Sequence, residues 1–175
     1  RGEGKKEEKM FRILVSDKLG AAGLELLDQA EDAQYDMKTG LSKDELMAIL
    51  PEYDALIVRS DTKADADVLA AGTKLRVVGR AGVGVDNIDV AAASQRGIIV
   101  MNTPTSNNIA TAEQAMALML AASRFTVPGH NALAQGLWER SKFVGYELFG
   151  KTLGVIGFGR IGRLVYRAMA EKGML

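Results

Sequence analysis

A glycine-rich turn near the end of the sequence limits the possible fold more than any other feature. The apolar segment 151–156 comes just before it and predicts a short buried strand. The turn reads Gly157-Phe-Gly159-Arg-Ile-Gly162, and apolar residues then recur at helical spacing. A strand, a G-x-G-x-x-G turn and a helix form the opening unit of a dinucleotide-binding sheet.

The glycines of such a turn have separate tasks. The first allows the sharp bend, the second lets the backbone approach a pyrophosphate, and the third lets the helix pack closely on the strand. Backbone N–H groups at the helix start then point at the anion. The predicted cofactor contacts here are Gly157, Gly159, Arg160, Ile161 and Gly162. Because the acidic residue that holds the ribose lies about 20 residues beyond the turn, we expect only the start of a Rossmann domain.

Composition argues against several other classes of function. The 22 Lys and Arg residues balance 22 Asp and Glu residues, which disfavours a nucleic-acid surface. The absence of Cys excludes disulfides and thiolate catalysis, and a single His disfavours a metal site. No apolar run reaches the roughly 18 residues of a membrane span. Residues 1–9 are almost all charged or Gly and predict a solvated tail outside the fold.

Short apolar runs alternate with amphipathic stretches through the first part of the chain. The apolar runs predict five strands, at 12–16, 33–37, 55–59, 76–79 and 98–101. The amphipathic stretches predict helices at 21–30, 43–50, 66–71 and 90–96. This alternation predicts a parallel sheet with helices on both faces, closing near Thr103.

Two further helices are predicted between this sheet and the glycine turn. Ser106 or Asn107 can cap a long helix that runs to about residue 124. Its sides are apolar nearly all round, so it should be buried between domains or at a subunit interface. A second helix is predicted at 130–138, followed by a loop at 139–150.

Several segments together carry a resemblance to a known family. The most specific is 78–89, Val-Gly-Arg-Ala-Gly-Val-Gly-Val-Asp-Asn-Ile-Asp. Others occur in a matching order, at 54–60, 100–104, 112–113, 138–140 and 150–162. The chain resembles the D-isomer-specific 2-hydroxyacid dehydrogenases from about Met10 to its last residue.

The resemblance implies an α/β architecture of two domains. A flavodoxin-like parallel-sheet domain at 10–103 would bind substrate. Residues 104–175 would supply interdomain and dimer helices and the truncated start of a Rossmann nucleotide-binding domain. In the complete protein, a cytoplasmic homodimer or homotetramer without nucleic-acid or membrane partners is implied.

The resemblance also implies a reaction. NAD would accept a hydride from C2 of 3-phosphoglycerate, a phosphorylated 2-hydroxy acid, giving 3-phosphohydroxypyruvate for serine biosynthesis. The catalytic Arg, Glu and His of the family would lie beyond residue 175. No catalytic residue is therefore assigned here, His130 included, and the chain alone is predicted to be inactive.

Substrate contacts are implied at several positions. Arg59 lies at the end of the third predicted strand, at the edge where open α/β sheets bind ligands, and its guanidinium suits a carboxylate or phosphate. The amides of Gly82, Val83 and Gly84 would hold the substrate carboxylate, with Val83 also touching the cofactor. The remaining candidates are Asn107 and Asn108 at a helix start, and Arg80 and Arg140 as phosphate contacts.

Structural alternatives stand beside these assignments. Arg59 could pair with Asp61, the glycine segment could be a simple tight turn, and Asn107 could only cap a helix. Asp86 and Asn87 are expected to hold the glycine segment together. Two other functions also remain open: a glycerate or hydroxypyruvate reductase of the same family, or a non-catalytic dehydrogenase fragment acting as a binding or assembly module.

Overall fold

The computed structural model describes residues 10–171, so the predicted tail at 1–9 lies outside the described residues. The chain forms two compact units that divide between Ser106 and Asn107. No helix in the described range is long and apolar enough to cross a membrane.

The first unit is built on a five-stranded parallel sheet. Its strands are β1 (Phe11–Val15), β2 (Ala33–Met37), β3 (Ala55–Val58), β4 (Val77–Arg80) and β5 (Ile99–Asn102). They lie side by side in the order β2-β1-β3-β4-β5, and every pairing is parallel. This is the flavodoxin-like order. The predicted parallel α/β class is confirmed.

Four helices connect the strands. They are α1 (Ala21–Asp28), α2 (Lys43–Ile49), α3 (Ala66–Ala71) and α4 (Val90–Gln95), and a 3₁₀ turn at Leu50–Glu52 extends α2. Side chains fix three of the starts: Ser42 and Glu45 form a capping box on α2, while Asp65 and Asp89 cap α3 and α4.

One face of the sheet carries the hydrophobic core. Leu14, Leu56 and Val78 lie in register across the three central strands and are fully buried. Apolar residues of the second, third and fourth helices and of the 3₁₀ turn cover them, chiefly Leu46, Leu50, Val68, Leu69 and Ala93. Because every strand pairing is parallel, the carboxyl ends of the strands lie along one edge of this sheet.

The predicted cover of helices is incomplete on the opposite face. Among the described helices of this unit, α1 lies on this face, beside an open apolar groove, and none of its residues is buried. Ile99 and Met101 on β5 therefore stay 60% and 59% exposed. An open apolar groove runs along this face between α1 and the strands.

The second unit is helical in its described part. It contains α5 (Asn108–Ser123), α6 (Thr126–Ala134), a 3₁₀ turn at Arg140–Phe143 and α7 (Arg160–Ala170), and α5 packs against α7. The predicted helix at 130–138 instead starts at Thr126. Phe125, with a φ of 52°, breaks the chain direction before it, and Pro128 is tolerated in a first helical turn.

Two further expectations differ from the structure of this unit. Segment 151–156 forms no strand, because no neighbouring strand in the described part of the unit pairs with it, and Ile156 is fully exposed. The apolar helix α5 is also largely open, with Ile109 and Leu118 66% and 60% exposed. Burial within the described chain is thus not found, and its burial at a subunit interface stays a prediction.

Candidate functional site

The first group of candidate residues meets at the carboxyl edge of the parallel sheet. Arg59 directly follows β3, and Gly82, Val83 and Gly84 follow β4 on the neighbouring strand. Ligands of open α/β sheets bind at this edge. The structure therefore brings Arg59, Arg80 and the glycine segment together.

The guanidinium of Arg59 is exposed and lightly held. Its Nη1 donates to the carbonyl oxygen of Lys18 at 3.1 Å. No ion pair joins Arg59 to Asp61 in the part of the chain that the structure describes. The structural alternative for Arg59 is thus not seen, and most of its donors are open to an anion.

Side chains from other segments hold the backbone of Arg59. Its N–H donates to Oδ2 of Asp17 at 2.5 Å. Its carbonyl oxygen accepts from Nδ2 of Asn87 at 2.7 Å and from Nε of Arg80 at 3.2 Å. The main chain is therefore fixed at this point while the side chain stays accessible.

Asp17 and Thr62 were not identified from the sequence. Asp17 is buried after β1 and also accepts from the N–H and the hydroxyl of Thr62, at 3.2 and 2.6 Å. Ser16 donates to the Thr62 hydroxyl at 2.9 Å. The one available signal is an acidic residue placed directly after a buried strand, at the edge where ligands bind.

The glycine segment 82–84 offers two open amides. The N–H of Gly82 donates to the Arg80 carbonyl, and the Val83 carbonyl accepts from Asn102 Nδ2 at 2.6 Å. Within the described residues, the N–H groups of Val83 and Gly84 make no hydrogen bond. These two amides can receive a carboxylate, whereas Gly82 is committed to the turn.

Arg80 is part of the frame of this segment. Its side chain is 9% exposed, and its Nη1 donates to Oδ1 of the exposed Asp86 at 2.5 Å. That hydrogen bond lowers the pKa of Asp86. A Cβ on Gly84 would come within 2.8 Å of the same carboxylate oxygen and 3.1 Å of Arg80 Nη1, so a side chain there would displace the atoms of this ion pair. Asp86 bonds Arg80 beside the segment, but the Asn87 side chain donates to the carbonyl oxygens of Arg59 and Thr62 and not to the glycine segment, so the expected role is not found for Asn87. A phosphate contact by Arg80 stays a prediction.

The other candidates lie in the second unit, on three helical segments. Asn107 precedes α5 without capping it through its side chain, and Asn108 is the first residue of that helix. Arg140 begins the 3₁₀ turn and is exposed. His130 lies within α6 and is not at the start of the helix. Ligand contacts by the first three of these residues stay predictions.

The glycine turn before α7 fits a dinucleotide in three ways. Gly157 has a φ of +92°, which only glycine adopts readily. A Cβ on Gly162 would overlap the carbonyl oxygen of Gly157, so the helix can pack closely only without it. A Cβ on Gly159 would meet no protein atom within 4 Å. Backbone conformation thus explains the first glycine and close packing explains the third, which leaves the space at Gly159 for a ligand.

The start of α7 is suited to an anion. No side chain caps the helix at Gly159, so the amides of Arg160 and Ile161 are left for an external acceptor. The residues present therefore fit the pyrophosphate of a dinucleotide. No group of three or more His, Cys, Asp or Glu residues suited to a metal occurs within 10–171.

Sequence comparison places these features in one family. Residues 13–170 match the catalytic domain of the D-isomer specific 2-hydroxyacid dehydrogenases. The chain belongs to the D-isomer specific 2-hydroxyacid dehydrogenases. The glycine segment and the turn before α7 both lie inside the matched range.

Individual relatives of the family agree. The D-3-phosphoglycerate dehydrogenase of Synechocystis sp. is 47% identical over 165 residues, which are 94% of this chain and 29% of that protein. The enzyme of the same name from Mycobacterium tuberculosis H37Rv is 51% identical over 162 residues, 92% of this chain and 30% of that protein. The chain thus spans only about 30% of the length of these curated relatives.

Solved structures resemble this chain over most of its length. The TT0316 protein of Thermus thermophilus superposes with a TM-score of 0.83 at 34% identity, covering 93% of this chain and 54% of that one. The NAD⁺-bound 3-phosphoglycerate dehydrogenase of Entamoeba histolytica gives a TM-score of 0.73 at 31% identity, covering 94% and 52%.

Proposed function

We propose that this chain is the substrate-binding part and the opening of the NAD-binding part of a D-3-phosphoglycerate dehydrogenase. The observation that carries the proposal is the carboxyl edge of the first unit. There an exposed guanidinium, Arg59, stands one strand away from the two unbonded amides of Val83 and Gly84. A substrate with two anionic groups matches two such donors.

Each donor group suits one end of this substrate. Neighbouring amide N–H groups in a turn form a small concave site that donates hydrogen bonds to a carboxylate. A planar guanidinium binds carboxylate or phosphate through two parallel hydrogen bonds. D-3-phosphoglycerate carries a carboxylate at C1 and a phosphate at C3, so both groups can be held while C2 stays between them.

The turn before α7 is proposed to hold the cofactor. The open space at Gly159 and the free amides of Arg160 and Ile161 support contact with a pyrophosphate. NAD, when bound, supplies the hydride acceptor. We propose that the acid–base residues lie beyond residue 175, so this chain binds and positions substrate but does not turn it over. The complete protein would act in serine biosynthesis as a homo-oligomer, which the exposed apolar side chains of α5 support.

Binding to the 175-residue chain tests the substrate assignment. We expect D-3-phosphoglycerate to shift backbone NMR resonances of the 82–84 segment in a saturable titration. Replacing Arg59 by Ala should weaken this binding by about tenfold or more, because a charge-assisted hydrogen bond contributes about 1.5–3 kcal/mol. Arg96→Ala serves as the control, since Arg96 is exposed in the same unit at the end of α4.

The same titration separates the alternatives. Equal affinity for D-glycerate and D-3-phosphoglycerate would favour a glycerate or hydroxypyruvate reductase. Binding of neither acid would favour a non-catalytic module. NADH formation by the chain above a buffer control, followed spectrophotometrically, would show that the acid–base residues lie within it and would refute their placement beyond residue 175.

A further inference from the structure

The backbone of Arg59 is held by side chains rather than by the sheet. Arg59 lies one residue past the end of β3, where the ladder with β4 stops at Val58 and Arg80. Its N–H bonds Asp17 at 2.5 Å, and its carbonyl accepts from Asn87 and Arg80. A residue at a strand end would otherwise be free to change its backbone angles, and here both of its peptide groups are fixed.

Asp17 is an unusual residue to find in this position. Asp17 is buried, with only 4% of its surface exposed. Burying a carboxylate is costly unless hydrogen bonds satisfy it. Within the described residues it forms no ion pair. Three neutral donors satisfy it instead: the N–H of Arg59, and the N–H and hydroxyl of Thr62.

The bonds of Asp17 span a four-residue segment that contains the proposed substrate contact. Its Oδ2 joins the first and last residues of the segment 59–62, and Thr62 in turn accepts from Ser16. The carbonyl oxygen of Lys18, the residue after Asp17, accepts from Nη1 of the Arg59 guanidinium at 3.1 Å. Two consecutive residues after β1 thus hold Arg59 at its backbone and at its charged end.

We propose that Asp17 is a positioning residue that sets where Arg59 presents its guanidinium to the anionic substrate, with Thr62 completing the hold. This rests on the proposed function, in which Arg59 binds the substrate. Fixing a binding side chain before the ligand arrives removes an ordering cost from binding. A carboxylate suits this role because Oδ2 accepts from the N–H groups at both ends of the segment while Oδ1 accepts from the Thr62 hydroxyl, and charge-assisted bonds are about twice as strong as neutral ones.

The decisive variant is Asp17→Asn in the 175-residue chain. The amide keeps the shape of the side chain, removes the charge and turns one acceptor into a donor. We expect the Arg59 amide proton to move upfield, because its hydrogen bond weakens. We also expect the Kd for D-3-phosphoglycerate to rise by about tenfold. Thr62→Val should raise it by a smaller factor, and Thr62→Ser should restore the wild-type value.

Asp65→Asn is the matched control. Asp65 also accepts two backbone N–H bonds, at the start of α3, but its partners are Asp67, Val68 and the ammonium of Lys43, none of which forms a hydrogen bond with Arg59 across the described residues. This variant loses a comparable structural interaction, and we expect the Kd and the Arg59 resonance to stay unchanged.

A double-mutant cycle tests whether Asp17 acts through Arg59. With Arg59 already replaced by Ala, Asp17→Asn should change the Kd by less than about twofold. An equal effect in both backgrounds, or an unchanged Arg59 resonance in Asp17→Asn, would overturn the proposal. If the wild-type chain binds no D-3-phosphoglycerate, the proposed substrate is wrong. The Arg59 resonance then decides the positioning role alone, because it is read without ligand.

Discussion

Replacement of Gly162 by Ala tests the close packing of the turn before α7. In the structure, the methyl carbon would overlap the carbonyl oxygen of Gly157 and would lie 3.2 Å from Cγ1 of Val155. The overlapped atom belongs to the backbone, so it cannot turn aside as a flexible side chain does. Either the helix start or the turn must shift.

The expected cost follows from two opposing effects. Overpacking costs about 1–3 kcal/mol, and an overlap with a backbone oxygen that cannot turn aside falls in the upper part of that range, at about 2–3 kcal/mol. Ala favours a helix over Gly by about 1 kcal/mol, which offsets part of this cost. The net loss of local stability in Gly162→Ala is then about 1–2 kcal/mol, or about 5- to 30-fold in the opening equilibrium of α7.

Gly159→Ala provides the matched comparison. A Cβ there meets nothing, and its φ of −81° suits any residue. Ala is a poorer N-cap than Gly, which lowers stability. It also restricts the unfolded chain more than Gly does, which raises stability by about 0.4–1 kcal/mol. These effects nearly cancel, so the stability of α7 should change by less than about 0.5 kcal/mol.

Amide hydrogen exchange of α7 measures this difference directly, because it reports local opening without requiring that both units unfold together. We expect exchange to accelerate by about 5- to 30-fold in Gly162→Ala and to stay near the wild-type rate in Gly159→Ala. Wild-type protection in Gly162→Ala, or equal losses in both variants, would refute the assignment of the third glycine to packing and the second to ligand space.

Three further changes probe the first unit, each followed by urea unfolding monitored by circular dichroism. Leu56→Ala should cost about 2–5 kcal/mol, because this fully buried side chain lies on the central strand β3; a loss below about 1 kcal/mol, roughly that of a surface change, would contradict the core assignment. Asn87→Ala should cost about 1–3 kcal/mol, because two carbonyl oxygens lose their side-chain donor, and Asn87→Asp should cost more, since a carboxylate would face both oxygens. Hydrogen bonding to Lys43 lowers the pKa of Asp65, so its contribution is present above the ordinary Asp value near about 4 and is lost as pH falls through the lower folded value. Stability should therefore decline below about pH 4, and Asp65→Asn should flatten that decline; an unchanged pH dependence would exclude this residue as a source.

The elements of the first unit could be predicted because their signals are local. Short apolar runs alternate with amphipathic stretches, and capping residues such as Ser42, Asp65 and Asp89 mark helix starts in the sequence itself. The segment 151–156, predicted to be a strand, has the same apolar character, but a strand forms only when a neighbouring strand pairs with its backbone groups. That condition depends on distant segments, so local pattern cannot establish it.

The candidate site could be predicted only in part, for a related reason. Arg59 and the 82–84 segment stand out by residue type and by their place after a strand. The role of Asp17 depends on donors that lie 42 and 45 residues away in the chain. The residues near Asp17 in the sequence do not indicate that the N–H groups of Arg59 and Thr62 bond to it. Residues that contact a ligand are thus easier to recognise from sequence than those that hold them in place.

Arg59 and Arg80 show why residue type alone does not assign a role. Arg59 follows β3, and Arg80 is the last residue of the neighbouring strand β4. The sequence predicts that both bind the substrate. The Arg80 side chain is largely buried and its guanidinium already bonds Asp86 and the Arg59 carbonyl, so a phosphate would have to compete with two existing partners. The Arg59 guanidinium is exposed and gives up at most one bond to a neutral carbonyl. Because an anion gains most from the donor that loses least, Arg59 should carry the larger share of substrate binding, and Arg80 should act mainly by holding Arg59 and the glycine segment in register.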